Sequence, residues 1–291
     1  LFNYLKSKWI KPNGISVLIS AQNEQKTIAL CVESFLVFAD EIIIVTNGST
    51  DNTISLCQEL QERYPDKIYF YNMPELRDLY HNRAYALKKA KFRWIFRGDA
   101  DYVAYKDEDG KNSIRKLRHI ILNQRSWFPQ AFLFDQVNVS YQLHLCRDWS
   151  SNENSLNKIP RVYGQGFMPR VYLNTPLLKF KKQGQNEGAA YFFLYKKHLI
   201  LSPYWFHLTL NSDKDLFLRS ARREWREKNE IYKTLEEYIL KEHIPKYYPS
   251  CSFLEAQEKY ISTIIKPSLV EYKEDEYFKY PKSIRRLIHG K

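Results

Sequence analysis

A chain of 291 residues, 44% hydrophobic and 27% charged, carries enough apolar side chains to bury one large core, or a core with an appended subdomain, which excludes a disordered protein. Its formal charge of +12 is uneven, with 13 Lys/Arg against 12 Asp/Glu over residues 1–105 and 32 against 21 over residues 106–291; a basic second part admits nucleic acid, an anionic membrane surface or an acidic substrate and chooses none of them. Four cysteines, Cys31, Cys57, Cys146 and Cys251, lie far apart with no Cys-x-x-Cys spacing, so neither a zinc site nor a disulfide framework is indicated and a reducing compartment is expected.

In chain order, residues 15–105 alternate between two periods. Ile15–Ser20 is a short β-branched run; residues 27–38 place Ile28, Cys31, Val32 and Phe35 on one helical face. Glu41–Thr46 reads as a second strand, Asn47–Asp51 as a turn, and residues 52–64 as a helix carrying Ile54, Cys57 and Leu60. Residues 68–71 form a third strand, 78–90 a third helix and 92–96 a fourth strand. This series predicts an α/β fold with a mostly parallel sheet flanked by helices on both faces.

Past Tyr105 the pattern loosens. A helix is expected over 114–124, a strand over 131–141, an exposed Ser/Asn-rich loop over 150–158, and several short strands over 161–207. A highly charged helix follows at 213–228, continued over 231–243, and the tail ends in the apolar-basic run Ile284-Arg285-Arg286-Leu287-Ile288. Three parts are expected: 1–105, 106–212 and a helical, basic extension 213–291. No signal peptide is evident, and the longest apolar runs are far too short to cross a bilayer. The start at Leu1 without Met suggests a piece of something longer.

Four short motifs follow the four strands. Arg97-Gly98-Asp99-Ala100-Asp101 puts two carboxylates one residue apart at the end of the fourth strand, where open α/β sheets keep their ligand crevice. Hard oxygen ligands there suit Mg²⁺ or Mn²⁺, which would neutralise charge growing on a departing nucleotide diphosphate; turn chemistry is the plainer alternative. Ser20-Ala21-Gln22-Asn23-Glu24 follows the first strand, Thr46-Asn47-Gly48-Ser49-Thr50-Asp51 the second, and Asn82-Arg83 lies in the third helix. Gly48 permits a tight turn, and Ser49 or Asp51 can cap the next helix.

In this order and spacing the four pieces resemble family 2 glycosyltransferases of the GT-A fold, strongly over residues 15–105 and loosely beyond. The resemblance implies transfer of a sugar from a nucleotide diphosphate sugar, a UDP-sugar by preference, with inversion at the anomeric carbon. It implies that Asp101 ligates the metal, that Asp99 with Ala100 and Arg83 contacts the donor ribose or sugar, and that Ala21, Gln22, Asn23, Glu24, Asn47, Ser49 and Asp51 border the nucleotide. Where the family has acidic residues before the glycine of the second turn, this chain has Thr46 and Asn47, which alters the expected base contact; Asn47 can still donate to and accept from a uracil edge.

The second part offers further candidates. The segment from Pro169-Arg170 to Gln185-Asn186-Glu187-Gly188 is similar to the family's acceptor-side segment, which makes Glu187 the expected base for the acceptor hydroxyl, with Asp135 and Asp148 in reserve. His207, after Tyr204-Trp205-Phe206, matches a place where relatives complete the metal shell; a core histidine is the simpler reading. Lys214, Arg219, Arg222 and Arg223 can reach a pyrophosphate or an anionic acceptor, or face solvent. The expected partners are a nucleotide-diphosphate sugar and a surface-glycan or lipid-linked acceptor. The expected location is cytoplasmic, with peripheral contact at the inner membrane face as an open extension. The competing readings are a nucleotidyltransferase of sugar metabolism, which would need a glycine-rich loop after the first strand in place of Gln22–Lys26, and a basic nucleic-acid-binding protein, which leaves the acidic pair unexplained.

Overall fold

Strands β1 (Ile15–Ala21) and β2 (Glu41–Thr46) are buried at every position, which is why they read as continuous apolar runs: parallel strands covered on both faces have no wet side to alternate with. In the computed structural model, which describes residues 11–76, 79–106, 112–125, 128–147, 168–183, 186–191, 195–210, 212–225, 228, 231–275 and 278–289, they are followed by β3 (Ile68–Asn72), β4 (Trp94–Asp99), β5 (Tyr102–Ala104), β6 (Gln130–Phe134), β7 (Val137–Ser140), β8 (Leu145–Arg147), β9 (Met168–Leu173), β10 (Leu178–Gln183), β11 (Asn186–Tyr191), β12 (Lys196–Ile200), β13 (Trp205–Thr209) and β14 (Leu269–Glu271). The helices nearest the large sheet are α1 (Ile28–Phe35), α2 (Thr53–Arg63), α3 (Leu79–Lys89) and α4 (Ile114–Leu122).

The main sheet has the order β12-β6-β9-β4-β1-β2-β3. Strands β3, β2, β1 and β4 are mutually parallel, β12 is parallel to β6, and β9 runs antiparallel to both β4 and β6. The expected mostly parallel sheet is therefore present, with one reversed strand in its middle. Alternation of side chains sorts the core into two faces. Val17, Ile19, Ile42, Ile44, Trp94 and Phe96 pack with Cys31, Val32 and Phe35 of α1, Cys57 and Leu60 of α2, and Ile114, Leu117 and Ile121 of α4. Leu18, Ile43, Val45, Ile95 and Tyr172 pack with Ala86 and Ala90 beside α3 and with Leu178 and Phe180 of β10. The second face is the one that carries the site.

The chain divides into two compact units, residues 1–138, 163–208 and 274–291 in one and 139–162 and 209–273 in the other. The tail past Glu274 thus groups with the sheet: Tyr105 Oη donates to Lys279 O at 2.7 Å and Tyr280 packs on Phe206. The second unit is built from α5 (Asp213–Trp225), α6 (Leu235–Tyr238), α7 (Ile244–Tyr247) and α8 (Phe253–Tyr260) around Phe217, Ala221, Tyr238 and Ile239. It carries 15 Lys/Arg against 13 Asp/Glu, so the basic excess expected of a helical extension lies with the sheet unit, where residues 163–208 and 274–291 hold 11 Lys/Arg against 4 Asp/Glu.

Two elements differ from the sequence expectation. The strand expected over 131–141 is broken at Asp135-Gln136, after a bulge between Phe132 and Leu133, so that β6 stays in the main sheet while β7 joins β5 and β13 in the order β5-β13-β7. The helix expected from 231 begins only at Leu235, where Thr234 Oγ1 accepts from Glu237 N, and then runs through a π-type turn at Ile239–His243 into α7. A side-chain oxygen that satisfies a first-turn N–H fixes a helix start more sharply than apolar spacing does.

Outside the site, Arg118 of α4 clamps the loop between α1 and β2. It donates to both Asp40 carboxylate oxygens at 2.7 and 2.8 Å and to Phe38 O at 2.6 Å, while Asp40 Oδ2 also accepts from Ile15 N at 2.8 Å. Bidentate charged hydrogen bonds of this kind are the strong ones. Arg118→Ala is expected to lower unfolding stability by about 1–2 kcal/mol, read as a shifted urea midpoint at unchanged slope; a change below about 0.3 kcal/mol would mean the clamp is solvated away.

Candidate active site

Strands β1, β2 and β4 end side by side, at Ala21, Thr46 and Asp99. Asp99 is the last residue of β4, and Asp101 stands in the turn to β5, its carbonyl accepting from Leu208 N at 2.8 Å. The register sets Ser20 of β1 between Val45 of β2 and Asp99 of β4. The two carboxylates, one residue apart in sequence, have separate surroundings.

Asp99 is held by arginines. Arg83 of α3 donates through Nη2 to Oδ1, and Arg170 of β9 donates through Nη1 to Oδ2 at 3.3 Å. Burial acts to raise the Asp99 carboxyl, but Arg83, then Arg170 and Arg97, hold it well below the usual carboxylate range. Burial in turn pushes the Arg83 guanidinium down to about 9 against the pull of Asp99, which leaves it charged at neutral pH. Both oxygens of Asp99 thus face protein cations.

Asp101 is different. Its Oδ2 lies 3.0 Å from His207 Nε2, and its buried Oδ1 has no hydrogen-bond partner. A chain of contacts fixes the imidazole. Trp205 Nε1, which can only donate, points at Gln136 Oε1 at 3.2 Å and so orients that amide. Gln136 Nε2 then donates to Asn138 Oδ1 at 3.0 Å, and the same oxygen accepts from His207 Nδ1 at 2.9 Å. Gln136 Nε2 also lies 3.2 Å from His207 Nδ1; taking the shorter contact, to Asn138 Oδ1, as the hydrogen bond puts the proton on Nδ1, and Nε2 then presents its lone pair, or a second proton, to Asp101. An imidazole whose far nitrogen donates to a protein oxygen while the near one faces a carboxylate is arranged as metal-ligating histidines are. Tyr102 stacks on Trp205 with centroids 5.7 Å apart and meets the edge of His207 at 5.1 Å, closing the wall behind this pair.

The donor set therefore fits a small divalent cation: one carboxylate with a free buried oxygen and one imidazole nitrogen. Among the described residues no group of three or more His, Cys, Asp or Glu side chains is placed to hold a metal unaided. Mg²⁺ and Mn²⁺ sites that work on phosphates need no such cage, since substrate oxygens and water fill the remaining positions.

The loops after β1 and β2 are bound to each other. Asn23, at φ +58°, donates from its backbone to Ser49 Oγ at 3.1 Å and accepts from Thr50 N at 2.8 Å. Gln25 N donates to Asp51 Oδ2 at 3.1 Å, and Thr53 N to Asp51 Oδ1 at 3.0 Å. Asp51 thus serves the start of α2 while Ser49 serves the neighbouring loop; of the two proposed caps, only Asp51 meets that helix. Glu24 N donates to Thr53 Oγ1 at 2.8 Å and Gln22 Nε2 to Asn47 O at 3.4 Å. Gly48, at φ +78°, makes the turn that lets these loops meet. Ala21 and Ala100 are buried.

The remaining candidates are spread out. Glu187 lies on β11, opposite Lys182 of β10 in an antiparallel hairpin, and its side chain lies outside the described ones. Asp135 sits at the break between β6 and β7 and accepts from Gln136 N at 2.9 Å. Asp148 is outside the described residues. Lys214, Arg219 and Arg222 are on α5 of the second unit, as is Arg223, whose side chain is likewise outside the description. Sequence reasoning missed Gln136, Asn138 and Trp205 as positioners of His207, and gave Arg170 no role beyond marking a strand. Two amide side chains two positions apart, Gln136 in the break and Asn138 on β7, were the available signal.

The pattern of the family described as Glycosyl transferase family 2 matches residues 16–124. No curated protein matches the sequence. Among solved structures, residues 1–349 of S. aureus TarS in complex with UDP-GlcNAc are 13% identical, with 86% of this chain and 79% of that one covered and a TM-score of 0.45. The mannosyltransferase PcManGT from Pyrobaculum calidifontis in complex with GDP-Man and Mn²⁺ is 19% identical over 45% of this chain and 41% of that one, with a TM-score of 0.34. Glucosyl-3-phosphoglycerate synthase from Mycobacterium tuberculosis, in complex with Mn²⁺, UDP and glucosyl-3-phosphoglycerate, is 18% identical over 45% and 46%, with a TM-score of 0.32. Likenesses of this size fix neither donor nor metal.

Proposed function

From the match of residues 16–124 to the glycosyl transferase family 2 pattern, we propose that the chain is a glycosyltransferase of that family, moving a sugar from a nucleotide-diphosphate sugar, a UDP-sugar by preference, onto a hydroxyl group by a divalent-cation-dependent inverting displacement. The supporting observation is the pair Asp101–His207, with a buried carboxylate oxygen left unpartnered beside a fixed imidazole nitrogen. A Mn²⁺ or Mg²⁺ ion held by these two residues would neutralise charge on the departing diphosphate.

The chain's own residues divide the rest of the work. Asp99, locked by Arg83 and Arg170, presents a fixed carboxylate to hydroxyl groups of the bound donor, and the two guanidiniums favour an anionic ligand nearby. Glu187 is the proposed base: its carboxylate would take the acceptor proton as that oxygen attacks the anomeric carbon and the bond to the diphosphate breaks. The loops tied by Asn23, Ser49 and Asp51 are pre-set for the nucleotide, so little ordering remains for binding to accomplish. The basic excess around residues 163–208 and 274–291 suits an anionic glycan or lipid-linked acceptor approached from that side. No described helix is long and apolar enough to cross a membrane.

The test is hydrolysis of UDP-sugars and GDP-mannose by the full chain across a Mn²⁺ titration. Turnover should vanish with chelator and return with metal. His207→Ala should raise the Mn²⁺ needed for half-maximal rate by about 10–100-fold, while Glu187→Gln should spare donor binding and slow transfer to acceptor. Full turnover in chelator would defeat the metal-dependent reading.

A further inference from the structure

On the α3 face of the sheet, the uncharged side chains with buried polar atoms that lack a hydrogen-bond partner include Asn82, Ser20 and Asn47. Asn82 of α3 is fully buried with both amide atoms unpartnered, Ser20 of β1 is 5% exposed with its Oγ unpartnered, and Asn47 leaves its Oδ1 unpartnered while Nδ2 donates to Leu76 O at 3.3 Å. Strand register and helix spacing put Ser20 and Asn82 on that same face. Ser20 shares the sheet face of Leu18, two residues back, and pairs in register with Asp99. Asn82 lies one helical turn before Ala86, which packs against Leu18, Val45 and Ile95 on that same face. Its sequence neighbour Arg83 reaches Asp99, so this turn of α3 stands at the carboxyl ends of the strands.

A buried amide with nothing to bond is destabilising, and an apolar side chain of equal size would serve the fold better. Native chains depart from that rule mainly at functional sites. Resting on the donor reading above and sharpening it, we propose that Asn82, with Ser20 beside it, is a specificity-determining pair that hydrogen-bonds the hydroxyl groups of a bound sugar ring. One amide offers two donors and an acceptor, and a hydroxyl needs both kinds of partner; the oxygens of Asp99 next to them can only accept and are already shared with two arginines. The ring is either the ribose of the nucleotide or the sugar to be transferred.

The experiment measures dissociation constants of the full chain, with Mn²⁺, for UDP, 2′-deoxy-UDP, UDP-GlcNAc, UDP-glucose and GDP-mannose, in the natural sequence and in Asn82→Leu and Ser20→Ala, together with thermal midpoints without nucleotide. Asn82→Leu should weaken binding by about tenfold while leaving the ligand-free midpoint unchanged or raising it by roughly 2–4 °C. An equal loss on UDP and UDP-sugars, absent on 2′-deoxy-UDP, assigns the ribose; a loss confined to the sugar-bearing ligands assigns the transferred ring. Should Asn82→Leu fail to fold, Ser20→Ala carries the same test with a smaller loss. Nucleotide binding within twofold of the natural chain in the folded variants overturns the pair's role and leaves the enzyme reading standing; a natural chain that binds none of the five ligands overturns both.

Discussion

Asp101→Asn is expected to reduce metal-dependent donor turnover by about 10²–10³-fold, comparable to removal of a group that stabilises transition-state charge, with little change in thermal midpoint. The asymmetry follows from the environment of the side chain. Asp101 Oδ1 makes no hydrogen bond that the fold would miss, and Oδ2 meets His207; an amide of the same shape keeps the turn and removes the negative charge. Isothermal titration with Mn²⁺, in the presence of UDP, should show the matching loss of metal affinity. If Asp101→Asn turned over donor at the natural rate while binding Mn²⁺ normally, the charge centre would have to lie elsewhere.

Asp99→Ala is expected to act mainly on stability, by about 3–5 kcal/mol, because it leaves Arg83 and Arg170 buried without their counter-charge. Asp99→Asn should lose less, since an amide oxygen can still accept from one guanidinium. Activity should fall in both, through a misplaced Arg83. The pH dependence has a defined sign. The native carboxyl of Asp99 is held below its ordinary range, so its contribution is complete above the unfolded-state pKa of about 3.9 and is lost as pH falls below that toward the native value. Urea unfolding of the natural chain between about pH 5 and pH 2 should therefore show a steeper acid loss than Asp99→Asn does. Parallel acid limbs, or a destabilisation by Asp99→Ala under about 1 kcal/mol, would show the arginines to be compensated by other means.

Much of the fold over residues 15–105 was legible in the amino-acid sequence. The runs at Ile15–Ala21, Glu41–Thr46 and Trp94–Phe96 are buried on both sides, and burial on both sides writes itself as largely apolar sequence. Short-range chemistry was legible as well: the turn at Gly48 and the helix start at Asp51 depend on residues within a few positions of one another. Sequence also marked Asp99 and Asp101 as a pair. The family resemblance gave them separate duties; what divides them physically is which distant residues arrive: Arg83 and Arg170 at one, His207 at the other.

The positions of Gln136, Asn138 and Trp205 belong to the same category. Gln136 and Asn138 meet the ring of His207 across 71 and 69 residues of chain, with Trp205 holding Gln136, and they do so because β7 leaves the main sheet at Asp135-Gln136 to join β13. Local sequence read that stretch as one strand, since alternation persists through the break; only the choice of partner strand, made by packing of the whole sheet, reveals it. The sequence by itself thus determined the parallel βα scaffold and the placing of two carboxylates at its carboxyl edge, through burial and turn chemistry that act over a few residues. The tertiary structure alone decided which carboxylate is neutralised by arginine and which is left with an open oxygen, because charge compensation is settled by neighbours in space.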